Sequence, residues 1–351
     1  MAEMMQAAVY HGPHDLRVEN VPIPGISAGE ILIRVEDASI CGTDLRIYTG
    51  GHRKYPAGTV RVPGHEVVGR IAAFGLGVAG YAVGQRVFVA PNMGCGHCRQ
   101  CVAGKNNLCA DYDAVGVTLD GGFAEFMRVP ARAVLQGNVL PVGEDIDPAE
   151  GALIEPFACV LRGQMALGIR PGDLVLVMGA GPIGIMHMKL ARLSGAGRVM
   201  VSEPVDLRRE QAARLGADRV IDPGNENLAK VVAEESHGDG MEVIIVAAPA
   251  HAAQEQALQL AAIGGRINFF GGLPKDRPNI QFDSNMVHYK ELMITGTTAC
   301  STGDCLRAAE IVNTGKIDLS GLISRRFGLA QAVEAFHIAG ERSSLKIILE
   351  P

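Results

Sequence analysis

Short apolar runs separated by glycine and proline turns dominate the first part of the chain. Segments 30–36, 67–72 and 85–90 are rich in β-branched residues, have strand length and are bounded by turn-forming residues. From Ala7 to about Val142 the pattern therefore predicts an all-β region with loops.

The rhythm changes at about residue 148, where strand-length runs begin to alternate with helix-length segments. Strands are predicted at 174–178, 198–202, 220–221, 243–247 and 266–270, and helices at 183–194, 207–215 and 253–262. This alternation is typical of a parallel, doubly wound sheet. The predicted fold class is α/β: a β-rich domain over 1–150 and a doubly wound Rossmann domain over 151–294.

The remaining segment, 295–351, is too short for a domain of its own. It holds two helical patterns, 304–313 and 329–339, and a final strand pattern, 345–349. We expect it to fold back onto the first domain.

A glycine motif follows the first strand of the second domain. Leu174–Met178 leads directly into a G-x-G-x-x-G turn and then a helical pattern. In such a turn the first glycine allows the bend, the second lets the backbone approach a pyrophosphate, and the third lets helix pack on strand. The motif predicts dinucleotide contacts from Gly179, Gly181, Pro182, Ile183 and Gly184.

An acidic residue, Glu203, ends the next predicted strand, 19 residues beyond Gly184. A carboxylate there can accept hydrogen bonds from both ribose hydroxyls and would repel a 2′-phosphate, so NAD is favoured over NADP. Arg208, five residues later, either lies over the adenine or faces solvent.

Four cysteines, Cys95, Cys98, Cys101 and Cys109, lie within a lobe at 94–110. Their spacing can surround one tetrahedral ion and leaves no open position for a substrate, which predicts a structural zinc site. An iron–sulfur cluster is the minor alternative. Cysteines clustered in this way indicate metal ligation in a reducing compartment, so we expect a cytoplasmic protein.

Length and charge restrict the class of protein further. A chain of 351 residues is expected to form two domains, and its net charge of −6, without basic clusters, argues against nucleic-acid or anionic-membrane partners. We see no signal peptide and no membrane span. A small metabolite is the expected partner.

A second set of metal-ligand types is spread through the β-rich region. Cys41 precedes Gly-Thr-Asp44, His65 and Glu66 follow Pro-Gly, and Glu155 lies at the passage into the second domain. One thiolate, one imidazole and one or two carboxylates are the donors of an open, catalytic zinc site. Each residue taken alone also fits a structural role, as a small buried cysteine, a turn histidine or an ion-pair partner.

These motifs together resemble the zinc-dependent medium-chain dehydrogenase family, over essentially the whole chain. Within that family the chain is similar to the polyol branch, which contains sorbitol and L-iditol 2-dehydrogenases, and to threonine dehydrogenases. The resemblance implies a GroES-like catalytic domain, two zinc ions per chain, NAD as coenzyme, and a homodimer or homotetramer. It also places Leu273 and Thr297 near the nicotinamide end.

The resemblance implies a role for each residue of the catalytic set. Cys41 and His65 are expected to bind the catalytic zinc, Glu66 to be a ligand, and Glu155 to be an alternative or water-mediated ligand. The remaining two are Thr43, which matches a hydroxyl that hydrogen-bonds the substrate alcohol, and Asp44, which matches a carboxylate behind the ligands.

The chain departs from the family pattern at Arg46, where many relatives have a proton-relay histidine. Arginine cannot relay a proton by titrating. The proton leaves through water or a nearby histidine such as His52, or Arg46 contacts an anionic or hydroxyl-rich substrate; a solvated surface cation is the structural alternative.

The expected reaction is NAD-linked oxidation of a secondary alcohol, with a polyol as the first choice and L-threonine as the second. The segment 298–300 lacks an arginine common in sorbitol enzymes, which weakens sorbitol itself. A non-catalytic NAD-binding protein would be expected to have lost a zinc ligand. A zinc-free quinone reductase would lack both Cys41 and the four-cysteine lobe.

Overall fold

The computed structural model describes residues 3–341 and 343–351, and the chain divides into two compact units. The first combines residues up to 158 with residues from 299 onward, and the second spans 159–298. The sequence predicts domain boundaries at 150 and 294. The first boundary lies inside a helix, which explains why no turn signal marks it.

The first unit begins with a strand-rich segment. Its strands are β1 (Met4–Gly12), β2 (Asp15–Pro22), β3 (Ile31–Ser39), β4 (Glu66–Phe74), β5 (Arg86–Val89), β6 (Asn92–Met93), β7 (Asp113–Ala114), β8 (Phe126–Val129) and β9 (Val139–Pro141). Its helices are α1 (Gly42–Tyr48), α2 (Arg99–Val102), α3 (Ala131–Leu135), α4 (Pro148–Ala152) and the start of α5 (Ile154–Met165), with a 3₁₀ turn at Asn106–Leu108.

The second unit alternates strands and helices along the chain. After α5 come β10 (Leu174–Met178), α6 (Pro182–Leu193), β11 (Arg198–Ser202), α7 (Asp206–Arg214), β12 (Arg219–Ile221), α8 (Leu228–Glu235), β13 (Met241–Val246), α9 (His251–Leu260), β14 (Ala261–Phe269), α10 (Ser284–Tyr289) and β15 (Met293–Gly296).

The chain then returns to the first unit. This last segment contains α11 (Thr302–Asn313), β16 (Ile323–Gly328), α12 (Ala332–Gly340) and β17 (Lys346–Glu350), with 3₁₀ turns at Ser320–Leu322 and Leu329–Gln331. Residues from 299 onward belong to the first unit.

The main sheet of the first unit is mixed and has the order β16-β17-β3-β4-β5-β9, with β8 also paired to β3. The last strand is antiparallel to β3 and places Ile348 opposite Ser39 and Leu349 opposite Ala38. Burial alternates along β3, as expected for a sheet with one face on a core. The C-terminal strand is therefore joined to the strand that leads into the Cys41 segment.

The sheet of the second unit is parallel, with the order β12-β11-β10-β13-β14-β15. Its central strands β10 and β13 are almost entirely buried, which agrees with their continuous apolar sequence. The predicted α/β class, with a doubly wound parallel sheet, is confirmed.

Two element predictions need correction. The Cys41–Asp44 motif, predicted to lie in a loop of an all-β region, leads into helix α1, because the Asp44 carboxylate accepts the Cys41 backbone N–H at 2.8 Å and caps the helix. Ala261 and Ala262, predicted to end a helix, begin strand β14, where both are buried. Pairing with β13 outweighs the helical preference of alanine there.

None of the helices in the part of the chain that the structure describes combines the length and the apolar character needed to cross a bilayer.

A histidine is buried in the core of the second unit. His187 on α6 has no exposed surface, packs edge-to-face on Phe270 at 4.7 Å between ring centroids, and receives a contact of 3.3 Å from the Gln164 amide at Nδ1. Burial lowers the pKa of His187 to about 3. The folded unit therefore holds this imidazole neutral at all ordinary pH values.

This burial predicts acid sensitivity of the second unit. The unfolded chain binds a proton at His187 near pH 6.5 and the folded chain only near pH 3, so stability is lost as pH falls through this window, by about 1.4 kcal/mol per pH unit. We expect His187→Gln to flatten the decline in urea stability between pH 6.5 and 4. His288→Gln, at an exposed histidine of the same unit, should leave the slope unchanged. Equal slopes for wild type and His187→Gln would contradict the assignment.

Candidate metal centre and coenzyme-binding turn

The first unit brings together three of the predicted metal ligands. The Cys41 thiol, the His65 ring and the Glu66 carboxylate each offer one donor atom, and these atoms all lie within 4.8 Å of one another. Cys41 is the residue before α1, and Glu66 is the first residue of β4. Gly64 has a φ of +97° and would place a Cβ 2.7 Å from the Phe123 ring, so this turn before His65 requires glycine.

Asp44 lies behind the histidine. Its carboxylate is fully buried, with one oxygen on the Cys41 N–H and the other 3.4 Å from His65 Nδ1. Burial alone would lower the pKa of His65, but the negative charges of Asp44 and Cys41 raise it well above its usual range. A carboxylate facing Nδ1 orients the ring and leaves Nε2 available as the donor atom for a metal.

A buried lysine contacts the third member of the group. Lys346, on the last strand β17, directs its Nζ at both carboxylate oxygens of Glu66, at 2.7 Å for Oε1, and neither side chain is more than 4% exposed. Burial alone would lower the pKa of Lys346, but the Glu66 charge raises it. Glu66 is therefore neutralised by an ammonium group.

The donor set fits a zinc ion. One thiolate, one imidazole and a nearby carboxylate are the ligand types of open zinc sites, and the buried Nδ1 of His65 and Oδ1 of Asp44 face each other rather than other partners. A metal at Cys41 and His65 would share Glu66 with Lys346. This gives Glu66 two alternative cationic partners.

Glu155 is not part of this close group. It lies on α5, is 7% exposed, and its Oε1 is 3.6 Å from the Cys300 thiol of the same unit. Burial raises the pKa of Glu155, while the charge of His65 opposes that rise. The carboxylate is thus within electrostatic reach of the group without being one of its three members.

Helix α1 also carries Thr43, the residue expected to contact an alcohol. Thr43 is half-buried and lies three positions before the exposed Arg46. Residues three apart share a helix face, so Arg46 lies one turn further along the face that presents Thr43.

The four-cysteine lobe is assembled as its spacing predicts. All four sulfur donor atoms lie within 4.8 Å of one another, with Cys95–Cys101 at 4.0 Å and Cys98–Cys109 at 3.8 Å. A tetrahedron with metal–sulfur bonds of about 2.3 Å has edges of about 3.8 Å. Backbone N–H groups of His97 and Cys98 lower the pKa of Cys95 to about 6, which favours its thiolate. The spacing favours a single ion over a multi-iron cluster.

The glycine turn of the second unit has the geometry that a pyrophosphate needs. Gly179 has a φ of +109°, a Cβ on Gly184 would lie 1.9 Å from the Gly179 carbonyl oxygen, and a Cβ on Gly181 would meet nothing within 4 Å. Pro182 is the first residue of α6, where its fixed φ suits a helix start. The turn thus leaves open space in front of a helix N-terminus.

Glu203, at the end of β11, is held against this turn. Its Oε2 accepts the Ala180 N–H at 2.7 Å and its Oε1 accepts the Val205 N–H at 3.0 Å, and the residue is 3% exposed. The carboxylate is fixed in place with lone pairs remaining for ribose hydroxyls.

The other predicted coenzyme residues occur after strands of the same sheet. Arg208 is half-buried on α7, whereas its neighbour Arg209 donates to the Glu203 carbonyl oxygen. Leu273 follows β14 and Thr297 follows β15. Because carboxyl ends of parallel strands lie at one edge, all of these residues belong to the edge where such sheets bind ligands.

Each of the two units contains a sequence that matches a known domain family. Residues 27–141 match the alcohol dehydrogenase GroES-like domain, and residues 182–314 match the zinc-binding dehydrogenase domain. An L-threonine 3-dehydrogenase from Rhizobium johnstonii is 33% identical, over 100% of this chain and 99% of that protein.

Solved structures give the same result. A protein described as a zinc-binding dehydrogenase from Sinorhizobium meliloti, bound to NADP, superposes with a TM-score of 0.90 at 32% identity, covering 99% of this chain and 100% of that one. A protein described as a short chain alcohol dehydrogenase from E. coli, complexed with NADH, gives 0.89 at 30% identity and 99% coverage of both chains.

This chain belongs to the zinc-binding medium-chain dehydrogenase family. It is an oxidoreductase of the zinc-dependent alcohol dehydrogenase type. The expected GroES-like and Rossmann architecture is confirmed by both domain matches. The polyol branch is not singled out, since L-threonine 3-dehydrogenases are among the relatives that match over the full chain.

Lys346 is the functional-site residue that sequence reasoning missed in this dehydrogenase. It lies in the predicted strand 345–349, whose other members are apolar up to Leu349. A lysine inside an apolar strand is a signal of a buried partner, because an unpaired buried ammonium is costly. The signal does not identify that partner, which is 280 residues away.

The lobe geometry predicts metal loss on mutation of one cysteine. We expect Cys101→Ser to lower the zinc content of the purified dehydrogenase by about one ion per chain, because three thiolates hold the ion less tightly than four. Elemental analysis measures this directly. Cys305→Ser, at a buried cysteine outside the lobe, is the control and should keep the wild-type zinc content. Unchanged metal content in Cys101→Ser would contradict a lobe metal.

The Lys346–Glu66 pair predicts that a single mutant lacking the lysine is much less stable to unfolding than the double mutant. Lys346→Met leaves the Glu66 carboxylate buried without its counter-charge, and we expect a loss of about 3–5 kcal/mol in the unfolding free energy of the metal-free protein. Adding Glu66→Gln should recover most of the loss, whereas Lys316→Met, at an exposed lysine, should cost little. Equal stability of the Lys346→Met single and double mutants would rule out the pairing.

Proposed function

We propose that this dehydrogenase oxidises a secondary alcohol of a small hydrophilic substrate with NAD, with a polyol or sugar alcohol converted to a ketose as the first candidate. The observation that supports this most is the convergence of Cys41, His65 and Glu66 with Asp44 behind them. A non-catalytic protein has no need for this buried donor group.

Cys41 and His65 are the proposed ligands of a catalytic zinc, with Glu66 and Glu155 as exchanging carboxylates. A bound zinc supplies Lewis acidity that lowers the pKa of a coordinated hydroxyl toward about 7. The Lys346 ammonium would compete with zinc for the Glu66 carboxylate. This competition would let Glu66 exchange as a zinc ligand. Asp44 holds the His65 ring in the orientation that ligation requires.

Thr43 is the proposed relay for the substrate hydroxyl proton. Oxidation would transfer a hydride from the carbinol carbon to NAD and release one proton from the oxygen, which the Thr43 hydroxyl would accept while donating its own proton to water. The Gly179–Gly184 turn is the proposed site for the coenzyme pyrophosphate, and Leu273 and Thr297 are proposed nicotinamide contacts.

NAD is the proposed coenzyme. Glu203 is fixed by two backbone N–H groups, so it cannot easily withdraw from a 2′-phosphate. The neighbouring structures include one complex with NADP and one with NADH, and the preference of this chain is therefore inferred from Glu203 itself.

L-Threonine is the second candidate substrate. A threonine dehydrogenase matches this chain from end to end. Threonine also presents a secondary alcohol, so the same metal group and hydride acceptor would serve. A structural zinc in the lobe, a cytoplasmic location and a homodimer or homotetramer complete the proposal.

Cys41→Ser tests the proposal. NAD reduction at 340 nm is measured for a panel of polyols, cyclitols, secondary alcohols and L-threonine, each with NAD and with NADP. We expect wild type to prefer NAD, and Cys41→Ser to lose at least about 100-fold in kcat, because the thiolate donor is lost.

Coenzyme binding is the control in this test. NADH affinity, followed by fluorescence, should be unchanged in Cys41→Ser, because Cys41 belongs to the other unit. Full activity in a metal-free Cys41→Ser protein would refute zinc-dependent oxidation, and equal rates with NADP would refute the role of Glu203.

A further inference from the structure

Segment 45–64, which leads from Asp44 to the proposed zinc ligand His65, is basic and contains no acidic residue. Between Asp44 and Glu66 there is no aspartate or glutamate, although the chain as a whole has 38 acidic and 32 basic residues. The segment carries one histidine and four permanent cations: His52, Arg46, Arg53, Lys54 and Arg61. The part of the chain that leads to His65 and Glu66 is therefore cationic.

Two of these cations hold the segment in place. Arg61 donates to the Val117 carbonyl oxygen at 2.7 Å and lies 4.9 Å from the Tyr55 ring centroid. Lys54 lies 5.4 Å from the ring centroid of Tyr112. Both have structural contacts that account for their presence.

Arg46 and Arg53 have no such contacts. Both are exposed, and neither has a carboxylate oxygen within 4.0 Å among residues 3–341 and 343–351. Other arginines of the same unit are paired with acids, including Arg86 with Glu36 and Arg326 with Asp147. The unpaired guanidinium groups are therefore available to an external anion.

Arg46 lies one helical turn after Thr43, the residue proposed to contact the substrate alcohol. It shares a helix face with Thr43, and its Cγ lies 3.4 Å from the position of a Cβ on Gly51. The Gly51 N–H donates to the Arg46 carbonyl oxygen at 2.9 Å, which holds the following residue, His52, close to α1.

His52 belongs to the same neighbourhood. Burial is the largest cause of the lowered pKa of His52, and the charges of Arg46 and His65 come next, so these groups lie within electrostatic range of one another. Its Nδ1 is 3.4 Å from the Lys54 N–H, which places the proton of the neutral ring on Nε2. His52 can thus donate one hydrogen bond beside the guanidinium of Arg46.

We propose that the substrate carries an anionic group, a carboxylate or a phosphate, which Arg46 binds with support from His52 while the carbinol lies at Thr43. This inference rests on the proposed function, since it assigns the second contact of the same substrate. It favours sugar acids, polyol phosphates and hydroxy amino acids over neutral polyols.

The physical reason is the geometry of the guanidinium group. Its planar fork donates two parallel hydrogen bonds to a carboxylate or phosphate, and such charge-assisted bonds are about twice as strong as neutral ones. A neutral polyol would leave the Arg46 guanidinium group hydrated and would gain no binding free energy from it. The expected discrimination between anionic and neutral substrates is roughly 10-fold to 100-fold in kcat/KM.

The test uses full-length, zinc-loaded protein and four probes. These are D-sorbitol, D-gluconate, D-sorbitol 6-phosphate and L-threonine, and NADH formation gives kcat/KM for each. We expect at least one anionic probe to exceed sorbitol by 10-fold or more, and Arg46→Gln to remove most of that preference by raising KM. Comparison of gluconate with the phosphate identifies which anion the site accepts.

A binding measurement separates this inference from the proposed function. Calorimetric titration of the same probes into the NADH complex should show tighter binding of an anionic probe, weakened in Arg46→Gln and partly restored in Arg46→Lys. Arg34→Gln removes an exposed arginine on β3, outside the site, and should change neither readout.

The outcomes are distinct. Anion binding that depends on Arg46, without oxidation of any probe, would support the inference and count against the proposed reaction. Oxidation with no anionic preference, or a preference that survives in Arg46→Gln, would overturn the inference and leave the dehydrogenase assignment standing. Absence of both oxidation and Arg46-dependent binding would count against both.

Discussion

The buried ion pair between Lys346 and Glu66 joins the end of the catalytic unit to its metal group. A carboxylate with no exposed surface needs a counter-charge, and within its unit the Lys346 ammonium supplies one from the last strand. The same contact requires β17 to lie beside β3, where Ile348 and Leu349 pair with Ser39 and Ala38. The ion pair therefore links the position of the C-terminal strand to the charge balance of the site.

Charge balance also explains the arrangement around His65. Asp44 caps the helix that follows Cys41 and faces the imidazole, so one carboxylate contributes to local backbone structure and to ring orientation. The cationic segment that leads from this helix back to His65 has no acid of its own. Buried carboxylates thus lie beside the metal ligands, whereas the segment that leads to His65 is cationic, and this cationic segment favours an anionic substrate.

The Rossmann unit was predictable from sequence to within a few residues for its main elements. Strand Leu174–Met178 and strand Arg198–Ser202 agree with the prediction residue for residue, because continuous apolar runs bounded by glycine leave few alternatives. The short helices α8 and α10 and the edge strand β15 were not predicted. Helix α10 and strand β15 are short and largely exposed, so their periodicity is weak and packing decides them. Helix α8, by contrast, buries Leu228, Val231 and Val232 on one face, a spacing that is detectable from the sequence.

By itself the sequence determined the α/β class, the glycine turn with Glu203, the four-cysteine lobe, and the identity of Cys41 and His65 as candidate ligands, because each depends on local spacing or residue type. Only the tertiary structure decided how the two carboxylates are arranged: Glu66 lies in the close group, whereas Glu155 lies beside Cys300. It also revealed Lys346, since a pair separated by 280 residues has no local signature. Contacts of this kind depend on how strands are ordered in the sheet, and that order is set by the packing of the whole unit.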